Sequence, residues 1–96
     1  MAKYVVVDSG TSTLSHGAVS VGTSAVVIRN VTSGRISLVV QNLGAVPIFV
    51  GGSSVSAANG IRIAAGGAAS DFVVDASIYG IAASGTCDVR WMEEAG

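Results

Sequence analysis

A chain of 96 residues, half of them hydrophobic, has the size and apolar content for one folded core, with no need of a metal or disulfides. Only 11% of its residues are charged, against about 25% in ordinary soluble domains, and the net charge is −1. That balance excludes a strong electrostatic hold on nucleic acid or anionic lipid. No apolar run approaches the ~18 residues of a membrane-spanning helix.

Helical periodicity is nearly absent; short β-branched runs recur, each closed by Gly, Asn or Ser. Residues 4–8 (YVVVD) read as a first strand. A Ser/Thr/Gly-rich stretch, 9–17, follows without apolar alternation, and 19–21 can form a short strand. Residues 24–31 (SAVVIRNV) and 35–41 (RISLVVQ) are clearer strands, joined by Thr32-Ser33-Gly34 as a tight hairpin-like turn. In RISLVVQ the alternation turns Ile36, Leu38 and Val40 inward and Arg35, Ser37, Val39 and Gln41 outward.

Residues 42–45 turn the chain, with Gly44 suited to a positive φ. The next strand, 46–50 (VPIFV), carries Pro47, which belongs at a strand start or on an edge. After the irregular SSVSAANG come short strands at 61–64 (IRIA), 71–75 (DFVVD), 77–82 (SIYGIA) and 86–93 (TCDVRWME). The last sets Cys87, Val89 and Trp91 on one face and Asp88, Arg90 and Met92 on the other. The alanines at 57–58 and 64–69 allow one short helical turn at most, since the interrupting glycines cost about 1 kcal/mol each.

Seven to nine strands at this spacing predict a single all-β domain, an antiparallel β-sandwich or jelly roll of about eight strands. Its expected core is Val26, Ile28, Ile36, Leu38, Val40, Ile48, Val50, Ile81, Val89 and Trp91. The organisation divides into an N-terminal arm or edge strand with its Ser/Thr/Gly-rich segment, 1–23, and a sandwich domain, 24–96.

Groups able to do chemistry are few: one His, one Cys, four Asp and two Glu. Cys87 falls on an apolar strand face, where a buried structural thiol is expected and a Cys87–His16 dyad is not. His16 lies in a solvated Gly/Ser segment. Three or four closely spaced Cys/His ligands for zinc are lacking, and Asp71 and Asp75 on one strand would lie roughly 13 Å apart. The glycines of 51–60 lack the Lys-Ser/Thr ending of a phosphate-binding loop. The five basic residues are scattered, which excludes a strong nucleic-acid groove. Tyr4, Phe49, Phe72, Tyr79 and Trp91 could stack on a sugar, but in a small β domain such residues usually serve core or interface. The expectation is a protein without enzymatic activity, catalytic residues, cofactor or metal.

The start, MAKYVVVDSG, has four apolar residues in a row where a signal-peptide core needs more, so synthesis and use without general export are expected. The single Cys87 is consistent with a reducing cytosol. Asn30-Val31-Thr32 then reads as a chance sequon. A globule of this size exposes on the order of 5,000 Å². Five basic and six acidic side chains leave one charge per roughly 450 Å². Surface covered by partners is the reading this favours.

The stretch ISLVVQNLGAVPIFVGGSSVSAANGIRIAAGG, the DFVVD strand and the closing IYGIAASGTCDVRWMEE together resemble small β-rich virion proteins of tailed bacteriophages. The shared pattern has a strand ending in Q-N, a V/P-x-F/Y/I-V/I-G-G strand, an A-N-G-I turn and a closing hairpin ending V-R-x-x-E. It covers residues 24–94, and residues 1–23 match nothing in it. The resemblance implies a head decoration (cement) or head-fibre protein, made in the host cytoplasm and located in the virion. Its implied partners are the major capsid protein or other virion proteins and further copies of itself, with no nucleic acid or membrane. The competing expectation is a carbohydrate- or receptor-binding module of a phage fibre or tail. Within either role, Tyr4, Val5, Val6 and Val7 are the candidate anchor of an arm that pairs with a neighbouring chain's strand edge.

Overall fold

A computed structural model describes residues 12–70, 72 and 75–96. Among these there are eight strands and no helix: β1 (Thr13–Val21), β2 (Val26–Arg29), β3 (Arg35–Asn42), β4 (Ile48–Gly51), β5 (Ile61–Ile63), β6 (Ala68–Ala69), β7 (Ile78–Ala82) and β8 (Cys87–Ala95). They form two four-stranded sheets, β1-β8-β3-β6 and β2-β7-β4-β5, in which every pairing is antiparallel. The all-β sandwich expected from the strand cadence is what the chain adopts.

Strand pairs β1–β8, β2–β7, β3–β6 and β4–β5 are those of one long antiparallel hairpin. Rolling that hairpin up adds the contacts β3–β8 and β4–β7 and splits it into two sheets. The joint at Thr32-Ser33-Gly34 is therefore a crossing from one sheet to the other, because β2 and β3 do not pair. Gly34 takes the left-handed φ of 76° there, and its C=O accepts from the N–H of Gly96.

The core lies between the sheets and includes Val21, Ile28, Leu38, Val40, Ile48, Val50, Ile63, Cys87 and Val89. Val26 and Trp91 pack against it while half-buried, and Ile81 is also half-buried. Ile36 departs from the expectation and is 49% exposed, whereas Arg35 is buried. The cause is a β-bulge: the register against β8 shifts between Arg35 and Ser37, and an extra residue exchanges the two faces of the strand.

Other expectations change as well. The stretch 13–17 is strand, so the sandwich begins before residue 24, and β1, whose Val21 is fully buried, is an edge strand among the described residues. From Ser15 to Ser20 its residues alternate between half-buried and exposed positions, and the Gly, Ala and Ser among them carry little hydropathic signal. Gly44 does not have a positive φ; it is glycine because a Cβ would fall on Cys87 Sγ. Of the expected strand 71–75, residues 71, 73 and 74 lie outside the described residues, while Phe72 and Asp75 are not in a strand.

Asn42 closes the opposite end of the sandwich from Gly34. Fully buried, its side chain donates to the C=O of Val46 (2.9 Å) and Ile63 (3.2 Å) and accepts from the N–H of Gly44 (2.9 Å). One side chain thus supplies the hydrogen bonds that three backbone groups at this end require.

Candidate interaction surface

A cluster of charged side chains ties the two sheets from within. Glu93 extends the inward face of β8 beyond Cys87, Val89 and Trp91, and is 1% exposed. Arg35 comes from β3 of the same sheet and Arg29 from β2 of the other. Both strands carry a register shift at that point, between Arg35 and Ser37 and between Val27 and Arg29. Two bulges thus aim two arginines from opposite sheets at one carboxylate.

Arg35 Nε donates to Glu93 Oε2 at 2.8 Å, and Arg29 donates to Oε1 through Nη2 at 2.7 Å and Nε at 3.1 Å. The Arg29 guanidinium also lies 4.2 Å from the Trp91 ring centroid, a cation–π contact. The remaining Arg35 nitrogens bond the C=O of Ala76 and Asn30. Burial pushes the Glu93 carboxyl up. Hydrogen bonds from Arg29, Arg35 and Thr32, with the Arg29 charge, outweigh it and hold the pKa down at about 2. An ionised carboxylate with both oxygens engaged is a structural tie between the sheets.

The outward faces are different in character. On β1, β8 and β3, Leu14 is 66% and Met92 47% exposed, and half-buried Val39 stands across from Met92. Two adjoining shallow depressions share Val39 and Met92, one reaching Leu14 and Glu94, the other Gln41, Ala68, Arg90 and Trp91. The charges beside this strip are largely self-paired: Arg90 Nη2 meets Asp88 Oδ2 at 2.8 Å. On the outer face of the second sheet Phe49 and Tyr79 are half-buried diagonal neighbours. Such a diagonal separates positions by about 7–8 Å.

The structure does not bring the two candidate reactive residues together. Cys87 is buried beside Val46 O and pairs with Val21, whereas His16 is exposed and pairs with Met92. Five positions of β1 separate those partners, roughly 17 Å. Among the described residues no three His, Cys, Asp or Glu could hold a metal ion together, and no helix is long and apolar enough to cross a membrane. Tyr4, Val5, Val6 and Val7 lie outside the described residues. The sequence reading missed the Arg29–Glu93–Arg35 cluster. The available signal was that Glu93 continues the inward parity of Cys87, Val89 and Trp91.

Compared with protein-family models, with curated proteins and with solved structures, the chain has no match in any of the three.

Proposed function

We propose that the chain is a non-enzymatic structural protein of a bacteriophage virion that binds and stabilises the capsid as a decoration protein. The observation that carries this reading is the apolar strip of Leu14, Val39 and Met92 on a sheet face of a charge-poor molecule. Covering such a surface costs little desolvation and removes apolar area from water. The titratable groups with the most unusual surroundings, Glu93 and its arginines, are committed to tying the sheets together. The strand order of a rolled-up hairpin fits a jelly roll, an architecture used by capsid and lectin domains. The resemblance of residues 24–94 to small phage virion proteins points the same way.

In this role Tyr4, Val5, Val6 and Val7 anchor an arm on the major capsid protein or another virion protein, and the chain works as a homo-oligomer. The deciding experiment compares particles assembled with and without this chain. Particles lacking it should release DNA at lower temperature, and the added protein should bind them and restore the loss. Particles indifferent to its absence, with no copy bound, overturn the reading. A variant without residues 1–11 keeps β1 whole and should fold but bind particles less.

A second reading, a carbohydrate- or receptor-binding module of a fibre or tail, draws on Phe49 and Tyr79 sharing an outer face. A Phe49→Ala chain that loses binding on a glycan array would favour it. Trp91, the sole tryptophan, packs against the core and Arg29 and takes no part in such a platform.

A further inference from the structure

Among the described residues the two sheets have four edge strands, and three of them are protected against pairing with another chain. β6 has two residues; β5 has three, including Arg62; β2 has four and a register shift. Short length, charge and bulges all blunt an edge. β1 has none of these protections. It runs nine residues, TLSHGAVSV, without Pro, Lys, Arg or a carboxylate, and its register against β8 is unbroken.

The direction of its outward groups follows from the ladder. Leu43 N donates to Asp88 O at 2.8 Å, so Asp88 turns its backbone groups toward β3. With a period of two, Cys87, Val89, Trp91 and Glu93 turn theirs toward β1, where they meet Val21, Val19, Gly17 and Ser15. The N–H and C=O of Leu14, His16, Ala18 and Ser20 therefore point away from the sheet.

We propose that this edge pairs with the β1 edge of a second copy, antiparallel about a two-fold axis at Gly17, joining the two β1-β8-β3-β6 sheets into one of eight strands. In that register Leu14 meets Ser20 of the other copy and His16 meets its Ala18, so all four outward residues bond. Each of these pairs exchanges two hydrogen bonds. Strand length selects it over its neighbours. A two-fold at His16 sets Ser20 opposite Ser12, and one at Ala18 sets Leu14 opposite Gly22, both partners lying outside β1. Centred on Gly17, every outward residue of β1 meets another, and an edge without full charges suits a copy of itself.

This deepens the reading of the chain as a homo-oligomer by naming the surface, yet it is tested apart from any virion. Particle binding can fail while the dimer persists, or the reverse. In light scattering the full chain should pass, with rising concentration, from 9.5 kDa to twice that mass. Ala18→Pro removes an N–H that faces away from β8, a place where an edge strand accepts proline. It should keep the fold and lose the dimer. In the unaltered chain, exchange of the Leu14, His16, Ala18 and Ser20 amides should slow at least about tenfold from micromolar to millimolar protein. A chain that stays monomeric overturns the proposal, as does a folded Ala18→Pro dimer. Protection of those amides that does not change with concentration also overturns it, and assigns the edge to residues 1–11 of the same chain. Should Ala18→Pro not fold, the exchange measurement on the unaltered chain decides alone.

Discussion

Arg35 and Glu93, 58 positions apart in the chain, meet at 2.8 Å with side chains 0% and 1% exposed. Neither charge could be sealed from water without the other. A buried ion pair of this kind adds little net stability over apolar packing of the same shape, but breaking it by removing one partner is costly.

Glu93→Gln should accordingly lower the unfolding free energy by about 3–5 kcal/mol, since two guanidinium groups lose their counter-charge. Arg29→Ala should cost less, because Arg29 remains 25% exposed and water can replace part of what is lost. Urea titrations of the two variants test the order; equal losses would show that exposure does not set the cost.

The same carboxylate makes stability depend on pH. Its pKa falls from 4.5 to about 2 on folding, so the folded state favours the ionised form. That contribution is complete above pH 4.5 and is lost as pH falls toward 2. Thermal midpoints should drop over this window in the parent chain, with a shallower drop in Glu93→Gln.

Gly17 faces Trp91 across the β1–β8 ladder, and a Cβ there would lie 2.7 Å from the indole Cζ2. Gly17→Ala should push the ring off the Arg29 guanidinium and cost about 1–3 kcal/mol. Red-shifted tryptophan emission from the folded variant is the signature to look for; unchanged emission would mean that the strand moves instead of the ring.

The bulge in β3 predicts opposite outcomes for two neighbouring aliphatics. Ile36→Thr, at a half-exposed position, should stay within about 0.5 kcal/mol of the parent. Leu38→Ala, at a position 1% exposed, should cost about 2–5 kcal/mol. Without the bulge the first loss would be as large as the second, so thermal unfolding of the pair checks the register itself.

What the sequence determined by itself was the class of fold and most of its strands. β-branched runs ended by Gly, Asn and Ser can bury one face only by stacking sheets, and the alternation in CDVRWME marked the inward side of β8 correctly. Pro47 fell just before β4, as a residue without a donor must. The tertiary structure alone decided the rest. Whether Arg35 or Ile36 points inward depends on a bulge in the pairing with β8, and strand alternation does not encode it. That Gly44 is a matter of space, and not of φ, depends on Cys87 arriving from 43 residues further along. The first half of β1, residues 13–17, read as irregular because its partner, β8, lies at the other end of the chain: Gly17 is legible as a strand residue only once Trp91 covers it. Local pattern reports which face a segment can bury, whereas pairing across the chain determines which neighbours fill that face.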